Sequence, residues 1–471
     1  NANNATVGIL GRGDAGNDDI VGGTGNDTLI GGTGNDSLFG GLGIDSYQVD
    51  AGVDSVGEVG EGGNDEIDVA AGATANTTVE AAYTAQANSS NAGTLNATAA
   101  AGLAGNTLVS FAGLTGNGAT LTSNANGLQL SGSNQADTLN GGNGGDTLFG
   151  GIGADNINGV AGNNTIRYTD TTQFAAANAL IDSLTGGVGN DTILLSADAF
   201  AIAAATSFTR AVSIDGISAG QAAGGNISIS LNANAGSGAG GAGMDFITLE
   251  LDTNAAGVNT IDVSAVGSSF TLSGSAGVDN ITGTGVADTI TGGAAADQID
   301  VGTGTDRVVF TTGATTDAIT NWAATAAGDN AVQDVSDVNG YLAGLVANST
   351  IVNGNGVAVA GATAVSLSAA LAAGAAALAA ANNVFLVNST TAAGVAAILN
   401  DKAFAAAGAQ TGDAITVAFI DANADLNIGV ARFDVNADTT GIDNASVDVQ
   451  GIFAGTFANA DVNAANLGFI A

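Results

Sequence analysis

The 471 residues carry 44 acidic side chains against six basic ones, a formal charge of −38 that leaves no basic face for nucleic acid or an anionic membrane. His and Cys are both absent, which excludes a Ser-His-Asp triad, a Cys-His pair, an H-E-x-x-H zinc site and any disulfide framework. Apolar residues make up 45% of the chain but aromatics only 4%, so the core has to be built in thin layers of small side chains.

Length alone allows two or three ordinary domains or one long solenoid. The first stretch, residues 1–68, favours the solenoid. From Gly13 it reads in nines: GDAGNDDIV, GGTGNDTLI, GGTGNDSLF, GGLGIDSYQ, VDAGVDSVG. Asp18, Asp27, Asp36, Asp45 and Asp54 recur at the sixth place, and Ile20, Leu29, Leu38, Tyr47 and Val56 at the eighth. Glycines at the first, second and fourth places permit backbone turns that bring carbonyl oxygens inward. The Asp adds a carboxylate oxygen, and a hard cation such as calcium takes six to eight oxygens of this mixed kind. The last three residues of each nine predict a short strand that turns only its middle side chain into the core. Two nines close one coil of eighteen residues, so Asp18 should stack over Asp36, Asp27 over Asp45 and Asp36 over Asp54, each pair clamping one ion. A Gly/Asn-rich linker would not keep five carboxylates and five apolar partners in register.

After Asp54 the pattern loosens, and Gly63-Asn-Asp-Glu-Ile67 lies two residues out of register. Residues 69–131 read as a spacer of further coils without metal loops, with strands at Thr107–Phe111, Thr120–Thr122 and Gly127–Leu130. A second ladder fills 132–195: Asp137, Asp146 and Asp155, then Asn164 in place of the fourth Asp, then Asp182 and Asp191 still at multiples of nine. Arg167 to Ala179 lacks the glycines and predicts a bulged or helical excursion. In the spacer 196–273, strands are expected at Asn226–Leu231, Phe246–Leu251, Thr260–Val263 and Phe270–Leu272, and GSGAGGAG at Gly236–Gly243 reads as a loop. The third ladder, 274–310, carries Asp279, Asp288, Asp297 and Asp306, with its fourth-place glycines partly lost.

From Thr311 the period stops, which marks a boundary to a C-terminal α+β domain, 311–471. Helices are expected at Ser366–Ala381 and Thr391–Ala407, and antiparallel strands at Ala414–Ile420, Ile428–Phe433 and Ser446–Val449. Asp421, Asn423 and Asp425 alternate like the start of an EF-hand loop, but Arg432 stands at the twelfth place. That leaves a calcium-bound turn and a plain Asx-rich hairpin loop both open. The Ala-rich run Val365–Ala381 reads as a soluble helix and no membrane span. No basic-then-apolar signal peptide is seen at Asn1.

With its three nonapeptide ladders between Ala/Thr/Asn/Gly-rich strand regions, the chain resembles the RTX-type surface-layer and surface proteins of Gram-negative bacteria, whose repeat G-G-x-G-x-D-x-U-x is a calcium-binding parallel β-helix unit. The resemblance implies an all-β-dominated fold: a right-handed parallel β-helix or β-roll with calcium turns, plus the smaller C-terminal domain. It also implies that loop carbonyls join the sixth-place Asp as ligands to several calcium ions: those of Gly23, Thr24, Gly25, Gly32, Thr33, Gly34, Gly142, Asn143 and Gly144. Family members are exported through an uncleaved C-terminal signal read by a type I system, fold outside on meeting calcium and assemble into a lattice. The expectation is therefore an extracellular, non-catalytic protein whose partner is itself, with a cell-surface polysaccharide or another surface protein as anchor and with Asp334 and Asp337 as carboxylates for bridging between subunits. An adhesin, or the calcium-folded secretion domain of a larger extracellular protein, is the alternative.

Overall fold

Three-residue strands are too short to stand alone, so each nonapeptide depends on stacking against the coils before and after it. The computed structural model describes residues 7–59, 63–176, 179–196, 201–203, 208, 210–219, 227–231, 248–251, 257–310, 317–321 and 330–334, and the backbone of Val352–Asn353, Val357–Ala358, Val384–Leu386, Ala414–Ile420, Leu426–Asp434, Asp443–Phe453 and Leu467–Ile470. These residues are almost all β, and in each unit the repeat strands stack in parallel as a β-solenoid. Among them the one helix is the single turn Thr171–Phe174. The chain divides into two units, residues 1–219 with 234–246, and residues 220–233 with 247–471.

In the first unit the ladder strands go alternately to two parallel sheets. Thr28–Ile30 pairs with Ser46–Val49 and then Glu66–Val69, while Asp19–Gly23 pairs with Ser37–Gly41 and then Val53–Val59. The register places Leu29 beside Tyr47 and Leu38 beside Val56, all four fully buried. Flanking strand residues are only half-buried, as in Thr28–Ile30 and Ser37–Gly41, which is the alternation the nonapeptide predicts. Burying one such Leu contributes roughly 1.5–3 kcal/mol, so the thin core is stabilised by repetition.

The spacer changes the cross-section. Its coils carry three strands, such as Thr74–Val79, Tyr83–Thr84 and Ser90–Asn91, followed by Thr94–Ala99, Leu108–Ser110 and Thr115–Gly116, every pairing parallel. The sheet containing Thr28–Ile30 ends at Thr115–Gly116, and the one beginning at Tyr83–Thr84 runs on into the second ladder. Tyr83 and Phe111 fill the wider core with ring centroids 5.2 Å apart. From Ala119–Thr122 onward the coils are two-stranded again, with Leu121, Leu139 and Ile157 in one row and Leu130, Leu148 and Ile166 in the other. The excursion expected after Arg167 is there: Asp170 caps the helical turn by accepting the Thr172 N–H, and Ala175–Ala176 pairs antiparallel with Ala179–Leu180. Phe174 from this turn packs edge-on against Tyr168.

The second unit repeats the plan. Ser228–Ser230, Val258–Asp262, Val278–Thr282, Gln298–Asp300 and Asp317–Thr320 make one parallel run, and Thr248–Leu251, Thr271–Ser273, Thr289–Thr291, Arg307–Phe310 and Asn330–Asp334 make another. The end of the sequence period at Thr311 is not the end of these sheets. Asp317–Thr320 pairs parallel with the end of Asp443–Phe453, and Asn330–Asp334 with Leu467–Ile470. Backbone ladders need only an extended neighbour, not a nonapeptide. The three expected antiparallel strands are Ala414–Ile420, Leu426–Asp434 and Asp443–Phe453. The expected helices at 366–381 and 391–407, the loop at 236–243 and Asp337 lie outside the described residues. Among the described residues no helix is long and apolar enough to cross a membrane.

Candidate metal centre

Every sixth-place side chain of the ladders sits in the wall between strand and turn, where strand pairing fixes its height to within one coil. Oδ1 of Asp36 accepts the backbone N–H of Asp18 at 2.8 Å, Asp45 that of Asp27 at 2.8 Å, and Asp54 that of Asp36 at 2.9 Å. The three pairs expected from eighteen-residue spacing are thus stacked in space. The second ladder continues the scheme from Asp137 to Asp155 at 2.8 Å and, across the 27-residue coil that holds the excursion, from Asp155 to Asp182 at 2.8 Å. Its other edge runs from Asp146 to Asn164 to Asp191, each at 2.9 Å. In the third, Asp279 donates to Asp297 at 2.9 Å and Asp288 to Asp306 at 2.8 Å.

The second carboxylate oxygen carries the chemistry. In Asp18, Asp27, Asp36, Asp54, Asp155, Asp191 and Asp297 Oδ2 is buried and has no hydrogen-bond partner. In Asp18 and Asp27 it lies beside the first-place glycine of its own nonapeptide, next to a carbonyl one coil on. A Cβ added to Gly13 would come within 2.6 Å of Asp18 Oδ2 and press on the Gly31 carbonyl oxygen. One on Gly22 would meet Asp27 Oδ2 and, at 2.5 Å, the Gly40 carbonyl. The space that glycine leaves is lined by oxygen from two coils, which is the donor set of a hard cation. Leaving a buried acceptor unmade costs about 1–3 kcal/mol, and more if it is charged. The chain has six basic residues for 44 acidic ones, and the ion pair Arg12–Asp14 lies on the surface. A cation from solution therefore fits these oxygens.

Electrostatics agree. Burial pushes the Asp155 carboxyl up to about 7, opposed by the Asp137 N–H and reinforced by the charges of Asp182 and Asp137. Burial likewise pushes Asp297 up to about 7, and it raises Asp54, with the Asp36 charge adding to the effect. Among the described residues no three carboxylates converge on one point. Each ion would be held by one or two carboxylates and otherwise by carbonyls.

Not every expected ligand is placed alike. Asn164 turns its Oδ1 to the Asp146 N–H, which leaves Nδ2 on the ion side, donating to Asp191 Oδ1 at 2.9 Å. An amide NH₂ there repels a cation. Asp182 Oδ2 accepts the Tyr168 hydroxyl at 2.8 Å. Of the loop carbonyls expected as ligands, those of Gly23, Gly32, Thr33 and Gly142 accept N–H groups of the adjacent coil, from Leu42, Ala51, Gly16 and Ala161. Thr24, Gly25, Gly34, Asn143 and Gly144 lie in the same turns. Asp421, Asn423 and Asp425 fall outside the described residues.

Some members of the wall were not expected. Asp65 accepts from the Asp45 N–H at 2.9 Å across a 20-residue coil, and Asp317 from the Asp297 N–H at 3.0 Å across another. Asp215 accepts from Asp191 across 24 residues. A nine-residue count misses all three, because these coils are 20 or 24 residues long and strand pairing, not the count, sets the register. The first-place carbonyls of Gly31 and Gly40 were also missed, although the Gly-Gly pairs that supply them are plain in the sequence.

A comparison with family models matches the RTX calcium-binding nonapeptide repeat in four copies, at residues 12–47, 131–166, 177–199 and 273–308. A search of curated proteins found no match. The matched segments are those whose turns hold the stacked carboxylates, and the chain carries four copies of this calcium-binding nonapeptide repeat on parallel β-strands.

Proposed function

We propose that this is a structural, non-catalytic protein of the cell surface that folds on calcium and self-assembles into a surface layer or filament. The observation that supports it best is the set of seven carboxylates whose buried Oδ2 has no hydrogen-bond partner, in a chain with six basic residues for 44 acidic ones. It makes the fold conditional on calcium at the about 10⁻⁴–10⁻³ M levels typical of extracellular modules. Assembly follows from what is left over. A formal charge of −38 repels further copies until divalent ions bridge them. Leu42, Ile44, Val53, Ile152 and Val188 stand out from the turns as exposed apolar side chains available for contact. Exposed solenoid ends and edges favour a second copy as the partner. A cell-surface polysaccharide or another surface protein would anchor the array.

Light scattering across a calcium titration tests this. Two transitions are expected: folding first, then growth to large particles at higher calcium. A chain that folds and stays monomeric at every higher calcium level would remove assembly as its function and leave a calcium-folded module.

A further inference from the structure

Three loops of the ladders are closed by a pair of hydrogen bonds onto Oδ2, unlike the seven whose Oδ2 has no partner. Ser133 donates to Asp137 Oδ2 from its backbone N–H at 2.7 Å and from its hydroxyl at 2.9 Å. Ser275 does the same to Asp279 Oδ2 at 2.6 and 3.0 Å, and Thr284 to Asp288 Oδ2 at 2.6 and 2.9 Å. All three hold the second place of their nonapeptide. Four open loops put glycine there in the left-handed region: Gly32 (φ 98°) beside Asp36, Gly151 (φ 104°) beside Asp155, Gly187 (φ 110°) beside Asp191 and Gly293 (φ 120°) beside Asp297. Ser133, Ser275 and Thr284 are not in that region. At these three places the backbone stays outside it, and the N–H and hydroxyl point at the carboxylate.

We propose that Asp137, Asp279 and Asp288 are pins closed by hydrogen bonds that take no calcium, and that the ions are confined to the open rungs. Two donor hydrogens on Oδ2 meet an approaching cation with like charge, and both bonds would have to break to admit it. The carboxylate oxygen is already satisfied, so the drive that fills the open rungs is missing. Placement gives the device a purpose. Asp137 is the first rung of the second ladder, and Asp279 and Asp288 are the first two of the third. Each ladder that follows a spacer thus begins on a rung whose closure needs no ion. Asp146 is not counted as a pin. Gly142 reaches its Oδ2 with a backbone N–H alone, at 2.8 Å, and a glycine can turn over to the open form.

The inference rests on the calcium reading, and the test separates the two. Bound calcium per chain is counted by equilibrium dialysis at saturating calcium, for the full chain and for the S133G/S275G/T284G variant. The variant should bind up to three more ions than the parent, with unchanged far-ultraviolet circular dichroism. An equal or lower count in a folded variant would overturn the pins and leave the calcium reading intact. A parent chain that binds no calcium would overturn both. Should the variant not fold, anomalous scattering from calcium in crystals of the parent decides. Density beside Asp36 and Asp155, with none beside Asp137, Asp279 and Asp288, supports the proposal; density at any of those three defeats it.

Discussion

Asp36 ties itself to Asp18 with one oxygen and keeps the other bare: Oδ1 accepts the Asp18 N–H at 2.8 Å, while Oδ2 is buried without a hydrogen-bond partner. The two oxygens do separable work, and substitutions should separate them. Asp36→Asn keeps an acceptor for Asp18 and puts an NH₂ on the ion side, as Asn164 does, so it should lose calcium at that rung. Asp36→Ala also orphans the Asp18 N–H, at a further cost of about 1–3 kcal/mol, and should need roughly tenfold more calcium to fold than Asp36→Asn. Calcium titration followed by circular dichroism compares them. Identical midpoints would mean that the Oδ1 link is idle. Asn164→Ala, by contrast, should leave the count of bound calcium unchanged.

Calcium removal should unfold most of the chain. Seven buried oxygens without partners, at about 1–3 kcal/mol each, rival the 5–15 kcal/mol that holds a typical domain together. At neutral pH in excess chelator, far-ultraviolet circular dichroism should therefore show little β-structure, returning at about 10⁻⁴–10⁻³ M free calcium. Full β-structure in chelator would contradict the assignment of these carboxylates to ions.

Acid should partly replace calcium. The carboxyls of Asp155 and Asp297 sit near 7 in the calcium-free fold, against an ordinary 3.8. Between those values the folded chain holds more protons than the unfolded one, so stability is gained as pH falls and lost as pH rises through about 7. In chelator, β-structure should be greater at about pH 5 than above pH 7. With calcium present at sub-saturating levels the trend in ion binding reverses, because protons and calcium compete for the same oxygens. Greater β-structure on the alkaline side in chelator would rule this out.

Substitutions away from the carboxylates should also raise the calcium requirement. Gly34 has φ 141°, and an added Cβ would press on the Gly16 carbonyl of the previous coil, so Gly34→Ala strains the turn without touching an acidic group. Leu148 is fully buried in the row between Leu130 and Ile166, and Leu148→Ala should cost about 2–5 kcal/mol. Melting temperature in saturating calcium, with the ion count measured alongside, checks both: lower stability with an unchanged number of ions is expected.

Sequence by itself determined which carboxylates meet. In a solenoid, residues one coil apart are neighbours, so a period of nine with two strands per coil places Asp18 under Asp36 and Leu29 beside Tyr47 before any coordinate is known. The same spacing named the cation, through the donor set it assembles. Tertiary structure decided what a count could not. Asp65 and Asp317 enter the wall because strand pairing across 20-residue coils restores the register that the inserted residues break. The sheets run past Thr311 because backbone hydrogen bonds need no sequence period. Whether a given Oδ2 is bare or covered is set by what the second place of its loop aims at it. Asp36 and Asp137 look alike as letters, but Gly32 in the left-handed region leaves Oδ2 of Asp36 bare, and Ser133, with its N–H and hydroxyl, covers that of Asp137.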